Sequence, residues 1–303
     1  MPAVSIIVNV CNGAATLYEA LRSALSQTFS DWEMIVWDDC SSDESASIAQ
    51  SFADPRIRYF LAPQPTALGQ AREAAMLEAR GEWLAFLDQD DIWLPHKLAS
   101  QLKLADSPTV GLIYGRSLAF HADGTERDHD YFHEFTPLPE GDIVAELLGR
   151  GCFIAMSSAV LRSSIVATAK IPAEIHMTPD YFLYLAVCSQ HEARAVQQVV
   201  CRNRVHSGSM TNTYRRESLE ESLWLVDRFR EAVDQATYQR RRMHISTALA
   251  VEETRSGSAA KGLRRLLKDG SVVWLIGRPF AHLRRWIRRS LRRPYWKMSA
   301  GAS

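Results

Sequence analysis

The chain has 303 residues, enough for one large domain or two small ones, and its 47% apolar composition is ordinary for a globular protein. Its five cysteines, Cys11, Cys40, Cys152, Cys188 and Cys201, include no CxxC pair, which argues against a disulfide framework or zinc site and for a reducing compartment. The formal net charge of zero hides 12 Lys/Arg against one acid from Lys261 onward, leaving roughly −11 on the body before it and suggesting that the tail has its own partner.

The N-terminus carries no basic leader, and its apolar run stops at Asn12-Gly13. No apolar stretch is long enough to span a bilayer. Val4 to Val10 is β-branched and apolar and predicts a central strand, ended by Cys11-Asn12-Gly13. A helix follows, with Leu17, Ala20, Leu21, Ala24 and Leu25 on one face. Glu33 to Trp37 predicts a second strand, closed by Asp38-Asp39. Ser41-Ser42-Asp43-Glu44 fits a capping box for the next helix. Ile57 to Leu61 predicts a third strand, and Leu68 to Ala79 a helix stopped by Gly81.

Glu82-Trp83-Leu84-Ala85-Phe86-Leu87 then leads into Asp88-Gln89-Asp90-Asp91. A buried strand ending in clustered acids places them at the carboxyl edge of a sheet, where open α/β folds bind ligands. Close like charges repel, so the cluster calls for a cation or water. One reading is a divalent-metal site for a diphosphate, with hard oxygen ligands and the substrate's phosphates completing the shell. The other is a solvated acidic turn capping the next helix. Polar groups at three successive strand ends, Asn9 to Asn12, Asp38-Asp39 and Asp88 to Asp91, favour the first. Strands alternating with helices predict a parallel sheet with helices on both faces.

The ordered set of Val4-Ser5-Ile6-Ile7-Val8, Asn12, Ser26-Gln27-Thr28-Phe29, Asp38-Asp39-Cys40-Ser41, Gly69, Ala71-Arg72 and Gly81 to Asp91 resembles the family-2 glycosyltransferases, over roughly residues 3–215. The resemblance implies the A-type nucleotide-sugar fold: α/β, with a Rossmann-like, mostly parallel sheet flanked by helices, here with a helical C-terminal extension. It implies a catalytic domain over 1–215, with a nucleotide-sugar half to about 105 and an acceptor half to about 215, then a basic extension over 216–303.

The resemblance assigns the nucleobase and ribose to the loop at Asn9, Cys11 and Asn12. The family usually has Pro and Tyr at the first two positions. Cys11 cannot stack on a base as Tyr does, and Cys40 stands where Gly is usual. Asp39 matches the base-reading carboxylate; an acceptor suits the imide N–H of uracil or thymine and not adenine. Arg72 matches a position near the nucleotide, its fork suited to phosphate or ribose oxygens. Asp88-Gln89-Asp90 is the family's DxD motif. The resemblance makes Asp90 the expected direct ligand for Mn2+ or Mg2+, with Asp88 expected to bond the ribose or reach the metal through water, and Asp91 is expected to cap the helix near Pro95.

Strand-like Val110 to Gly115 leads into a polar loop with His121, His129 and His133, whose spacing fits no metal site and reads as acceptor-side. Thr178-Pro179 predicts a helix start, with Asp180 in its first turn. The resemblance makes Asp180 the catalytic base, although Pro179 replaces the first of two usual acids. Arg202 to Met210 matches the closing Arg-x-His stretch, with His206 approaching the metal or diphosphate and Ser207 to Asn212 as a loop that orders over nucleotide.

From about Arg216 the chain predicts helices. Trp274, Phe280, Leu283, Trp286 and Leu291 interleave with seven arginines between Arg278 and Arg293, which suits a helix lying on an anionic membrane surface. Docking on the acidic body is the alternative, and no nucleic-acid partner is expected. The expected function is metal-dependent, inverting sugar transfer from a UDP- or dTDP-sugar to a hydroxyl of a glycan or lipid-linked acceptor. The expected setting is surface polysaccharide synthesis, peripheral to the cytoplasmic face of the membrane. A non-catalytic nucleotide-sugar module with a degenerate base pocket is the alternative.

Overall fold

A computed structural model describes residues 1–121, 126–130, 136–206 and 213–268. The chain packs into two compact units, Met1–Leu147 with Cys152–Val205, and Leu148–Gly151 with the residues from His206 onward.

In the first unit β1 (Val4–Val10), β2 (Trp32–Asp38), β3 (Ile57–Leu61) and β4 (Trp83–Phe86) lie parallel in the order β3-β2-β1-β4. β1 is covered on both faces, as its unbroken apolar run requires. Val4, Ile6, Val8 and Val10 enter the core with Leu17, Ala20, Leu21 and Ala24 of α1 (Leu17–Leu25), the helix face read from spacing. α2 (Ser45–Gln50), α3 (Leu68–Leu77) and α4 (Lys97–Leu102) follow.

Two motifs act as fasteners. Gln27 donates its amide to the Leu94 carbonyl at 2.8 Å and accepts from the Leu98 N–H at 3.0 Å, tying the end of α1 to the segment beyond the acids. Gly81 lets two backbones meet: a Cβ there would lie 2.4 Å from the Ser5 nitrogen.

Beyond β4 the sheet turns mixed. β5 (Ile92–Trp93), β6 (Val110–His121), β7 (Glu126–Asp130), β8 (Val160–Arg162) and β9 (Glu192–Val205) extend it in the order β4-β8-β6-β9-β5, with β7 paired to β6. β8 is antiparallel to both neighbours, while β6 and β9 are parallel. α5 (Val144–Arg150), α6 (Ser163–Val166) and α7 (Pro179–Cys188) complete the set. The α/β class and flanking helices are as expected, and the parallel character belongs to the first half.

Three local expectations are corrected. The strand from Val110 continues to His121, so His121 and His129 sit in β6 and β7 and not in a loop; His133 lies outside the described residues. The capping box does not form. Ser41 Oγ instead accepts the Asn12 N–H at 2.9 Å, and Asp43 accepts from the Ser45 and Ala14 N–H groups. The β1 loop has orphan donors, and these side chains serve it first. Asp91 does not cap α4, which starts six residues later.

The second unit contains helices Arg215–Arg228, Gln235–Arg255 and Ala259–Lys268. Asp234 caps the longest of them, accepting from the Ala236 and Thr237 N–H groups at 2.9 Å each. No helix among the described residues is long and apolar enough to cross a membrane. The expected nucleotide loop at 207–212 and the aromatic and arginine-rich tail from 269 lie outside the described residues.

Candidate functional site

The site lies where β1, β2 and β4 end side by side. Parallel register pairs Val10 with Asp38 and Ile7 with Phe86, so the three strand ends meet at one sheet edge. Asp38 is buried and ties this edge together, accepting from Ser41 N–H and Tyr59 O–H at 2.8 Å each. Asp39 is 9% exposed, and its carboxylate accepts the Thr66 N–H at 3.1 Å and hydroxyl at 3.0 Å. Thr66 stands in the loop before α3 and fixes the plane of that carboxylate.

Asn9 is half-buried on β1 beside Trp37, and the Nδ2 of Asn9 is buried without a hydrogen-bond partner among the described residues. Cys11 and Asn12 are exposed at the loop. Asn12 takes the left-handed conformation at φ 50°, its Oδ1 accepting from the Ser42 N–H at 2.9 Å. Cys40 is also left-handed, at φ 59°, which accounts for the usual Gly; its Sγ faces the Ala62 carbonyl at 3.2 Å. Burial, then the charges of Asp39 and Asp38, pushes the Cys11 thiol up. That thiol is no activated nucleophile.

The acids after β4 divide into two roles. Asp91 is 4% exposed and accepts from Ser157 Oγ and Asn203 Nδ2 at 2.6 Å each and from the Arg204 N–H at 3.0 Å. Burial, with Asp88 and Asp90 beside it, pushes its carboxyl well up. It is a buried hub joining the acidic turn to β9 and to the segment before β8.

The Asp88 side chain is 41% exposed, although protein atoms crowd round its carboxyl. Arg72 on α3 is buried and donates to Asp88 at 2.9 Å, so its fork is spent at least partly on this carboxylate. Burial still pushes the Asp88 carboxyl up, with Asp90 and Asp180 adding to the rise against the pull of Arg72. The charge of Asp180, in the first turn of α7, is thus felt at Asp88. Asp180 also accepts from the Tyr181 N–H at 2.8 Å.

Asp88 and Asp90 are hard oxygen donors, and Arg72 is paired to the first of them. That donor set fits a divalent cation. Among the described residues no group of three or more His, Cys, Asp or Glu is arranged to hold a metal by itself. His206 directly follows β9 and belongs to the second unit.

Residues 5–168 match the family model described as glycosyl transferase family 2. The chain belongs to glycosyl transferase family 2. It is 31% identical over 223 residues to a UDP-Glc:alpha-D-GlcNAc-diphosphoundecaprenol beta-1,3-glucosyltransferase of Escherichia coli, WfaP, covering 73% of this chain and 85% of that one. A second E. coli enzyme of the same description, WfgD, is 28% identical over 193 residues, 64% of this chain and 72% of its own. Among solved structures, S. aureus TarS 1-349 in complex with UDP-GlcNAc matches with TM-score 0.65 and 14% identity over 88% of this chain and 81% of that one. The mannosyltransferase PcManGT from Pyrobaculum calidifontis, in complex with GDP-Man and Mn2+, matches with TM-score 0.63 and 17% identity over 95% and 84%. These likenesses establish the A-type fold. The family-2 chain is thus a glycosyltransferase, and the module without activity has no support beyond its altered base loop.

Reasoning from sequence missed Thr66, Ser157 and Asn203. Each acts on an acid distant in the chain, and none carries a local signal.

Proposed function

We propose that the protein is a metal-dependent, inverting transferase that moves a sugar from a UDP- or dTDP-sugar to a hydroxyl of a lipid-linked glycan. The observation that carries this reading is the acidic turn at the carboxyl end of β4, where the partly exposed Asp88 feels the negative charge of both Asp90 and Asp180. Residues 1–215 form the catalytic domain, and 216–303 a helical, basic extension.

In this reading Asp39, held by Thr66, accepts the imide N–H of the base. The buried, unpaired amide of Asn9 and the loop at Cys11 and Asn12 border the nucleoside. Asp90 would hold Mn2+ or Mg2+, with Asp88, fixed by Arg72, serving the ribose or the ion, and His206 is the further ligand position that the resemblance offers. The bound ion would offset the charge that builds on the departing diphosphate. Arg72 keeps Asp88 oriented and lowers the local repulsion. Asp180 accepts the proton of the acceptor hydroxyl as that oxygen attacks the anomeric carbon from the face opposite the diphosphate.

The E. coli relatives' printed activities suggest an acceptor on a diphosphate-linked lipid. The basic tail would then hold the enzyme at the anionic cytoplasmic face of the membrane. A thermal-shift series tests the donor reading. UDP with Mn2+ should raise the melting temperature, since a ligand bound at 100 times its Kd adds about 2.7 kcal/mol. Equal shifts from ADP, or none from uridine and thymidine nucleotides, would discard it.

A further inference from the structure

Gln89 sits between the two aspartates of the acidic turn, yet its side chain reaches back to β1. Its Oε1 accepts the Cys11 N–H at 2.9 Å, and its Nε2 donates to the Cys11 carbonyl at 3.2 Å. One primary amide thus satisfies both backbone groups of one residue, as a neighbouring strand would. It does so just past the point where β1 and β4 stop pairing at Ile7 and Phe86. Gly13 makes room for the contact: a Cβ there would lie 2.4 Å from Gln89 Oε1, 2.8 Å from its Cδ and 3.4 Å from its Cβ. On the β2 side the same loop is held by Ser41 and Ser45, whose hydroxyls accept the Asn12 and Gly13 N–H groups at 2.9 Å each.

We propose that Gln89 is a positioning residue that clamps the loop at 11–13 onto the acidic turn, so that the nucleobase grip and the diphosphate grip form one rigid receptor. The proposal rests on the donor reading above. Its physical content is pre-organisation: a loop already held in its binding conformation pays no ordering cost when the donor arrives. The clamp does not touch the reacting atoms, so it acts on donor affinity and leaves the chemical step nearly alone.

The test is a cycle of four full-length proteins: wild type, Gly13→Ala, Gln89→Ala and the double variant. Either single change should weaken UDP binding in Mn2+ by about 3- to 10-fold, the worth of one or two exposed hydrogen bonds. The donor KM should rise by the same factor, with kcat reduced less than about twofold. The double variant should be no worse than Gln89→Ala, because the atoms that the added methyl group would strike closest are gone. Additive losses, or an unchanged UDP affinity in Gln89→Ala, would overturn the clamp. So would a lowered melting temperature with KM unmoved, which is what a merely structural role gives. Hydrogen exchange at the Cys11 amide reads the clamp with no ligand present. Faster exchange in Gln89→Ala supports it, and an unchanged rate overturns it. A wild-type protein that fails to bind UDP would instead overturn the donor reading and leave the exchange measurement standing.

Discussion

Two arginine-paired acids, one in each unit, are treated in opposite ways. Glu253 in the helical unit is 1% exposed and meets Arg265 at 2.9 Å and Lys261 at 3.8 Å. The hydrogen bond from Arg265 holds its carboxyl below the ordinary value. Asp88 also has an arginine at 2.9 Å, yet burial, Asp90 and Asp180 leave its carboxyl raised. On the proposed reading, the carboxylate that serves packing is held in its charged form by its own chain, while the one that serves a ligand is left with a raised carboxyl until that ligand binds.

The sharpest way to break this contrast is Asp180→Asn. It should lower transfer by about 10²–10⁴-fold, the usual worth of a positioned base. UDP affinity should stay within about twofold. Single-turnover transfer and calorimetry with UDP read the two quantities separately. Ordinary turnover would mean that Asp180 is only a charge at a helix end, and the contrast would lose its chemical half.

Lys97 extends the comparison to a buried cation. It is 0% exposed, 2.7 Å from Gln101 Oε1 and 4.3 Å from the Trp93 ring. Burial pushes its ammonium down to about 7. The unfolded chain holds that proton to about pH 10.4, so it binds more protons than the fold above pH 7. Stability should therefore rise from about pH 7 toward pH 9.5, by an amount on the order of a few kcal/mol. Above that, the half-buried Tyr59 opposes the rise, since desolvation and its bond to Asp38 raise it to about 12. Lys97→Met should flatten the rise in urea unfolding at pH 7 and 9.5. An unchanged slope would assign it to other groups.

Arg265→Ala attacks the structural half. It removes the partner that holds Glu253 down and should cost about 1–3 kcal/mol at pH 7. Because the folded Glu253 carboxyl is depressed, the stabilisation it supplies is present above its unfolded value near pH 4.3 and lost as pH falls through the folded value. The variant should accordingly show a shallower acid limb in thermal unfolding from pH 7 to pH 3. UDP affinity should not change.

These contrasts mark what a sequence can display. The strands from Val4 and Ile57 and the helix face from Leu17 were legible because their signals are local runs and periods. So were the acids at strand ends, since a buried strand that stops in carboxylates is itself a local pattern. Sheet order past β4 was not legible, because β8 enters between β4 and β6 from far along the chain. The misreading of Asp91 has the same origin. Its partners Ser157 and Asn203 stand 66 and 112 residues away, and nothing near Asp91 distinguishes a hub from a cap. The capping box failed through competition: Ser41 met a nearer need across the sheet edge at Asn12.

Thr66 offers the smallest test. Asp39 takes both the backbone N–H and the hydroxyl of Thr66, so the side chain contributes one of two anchors to the carboxylate proposed to read the base. Thr66→Val keeps the shape and the N–H and removes only the hydroxyl. A typical net hydrogen bond contributes about 0.5–1.5 kcal/mol, and with the backbone anchor kept UDP affinity should fall by about 2- to 10-fold. Affinity for inorganic pyrophosphate with Mn2+ should not move, because the loss is confined to the base end. If both ligands weaken together, Thr66 is holding the loop before α3 and not the carboxylate, and Asp39 would then belong with Glu253 among acids that serve packing.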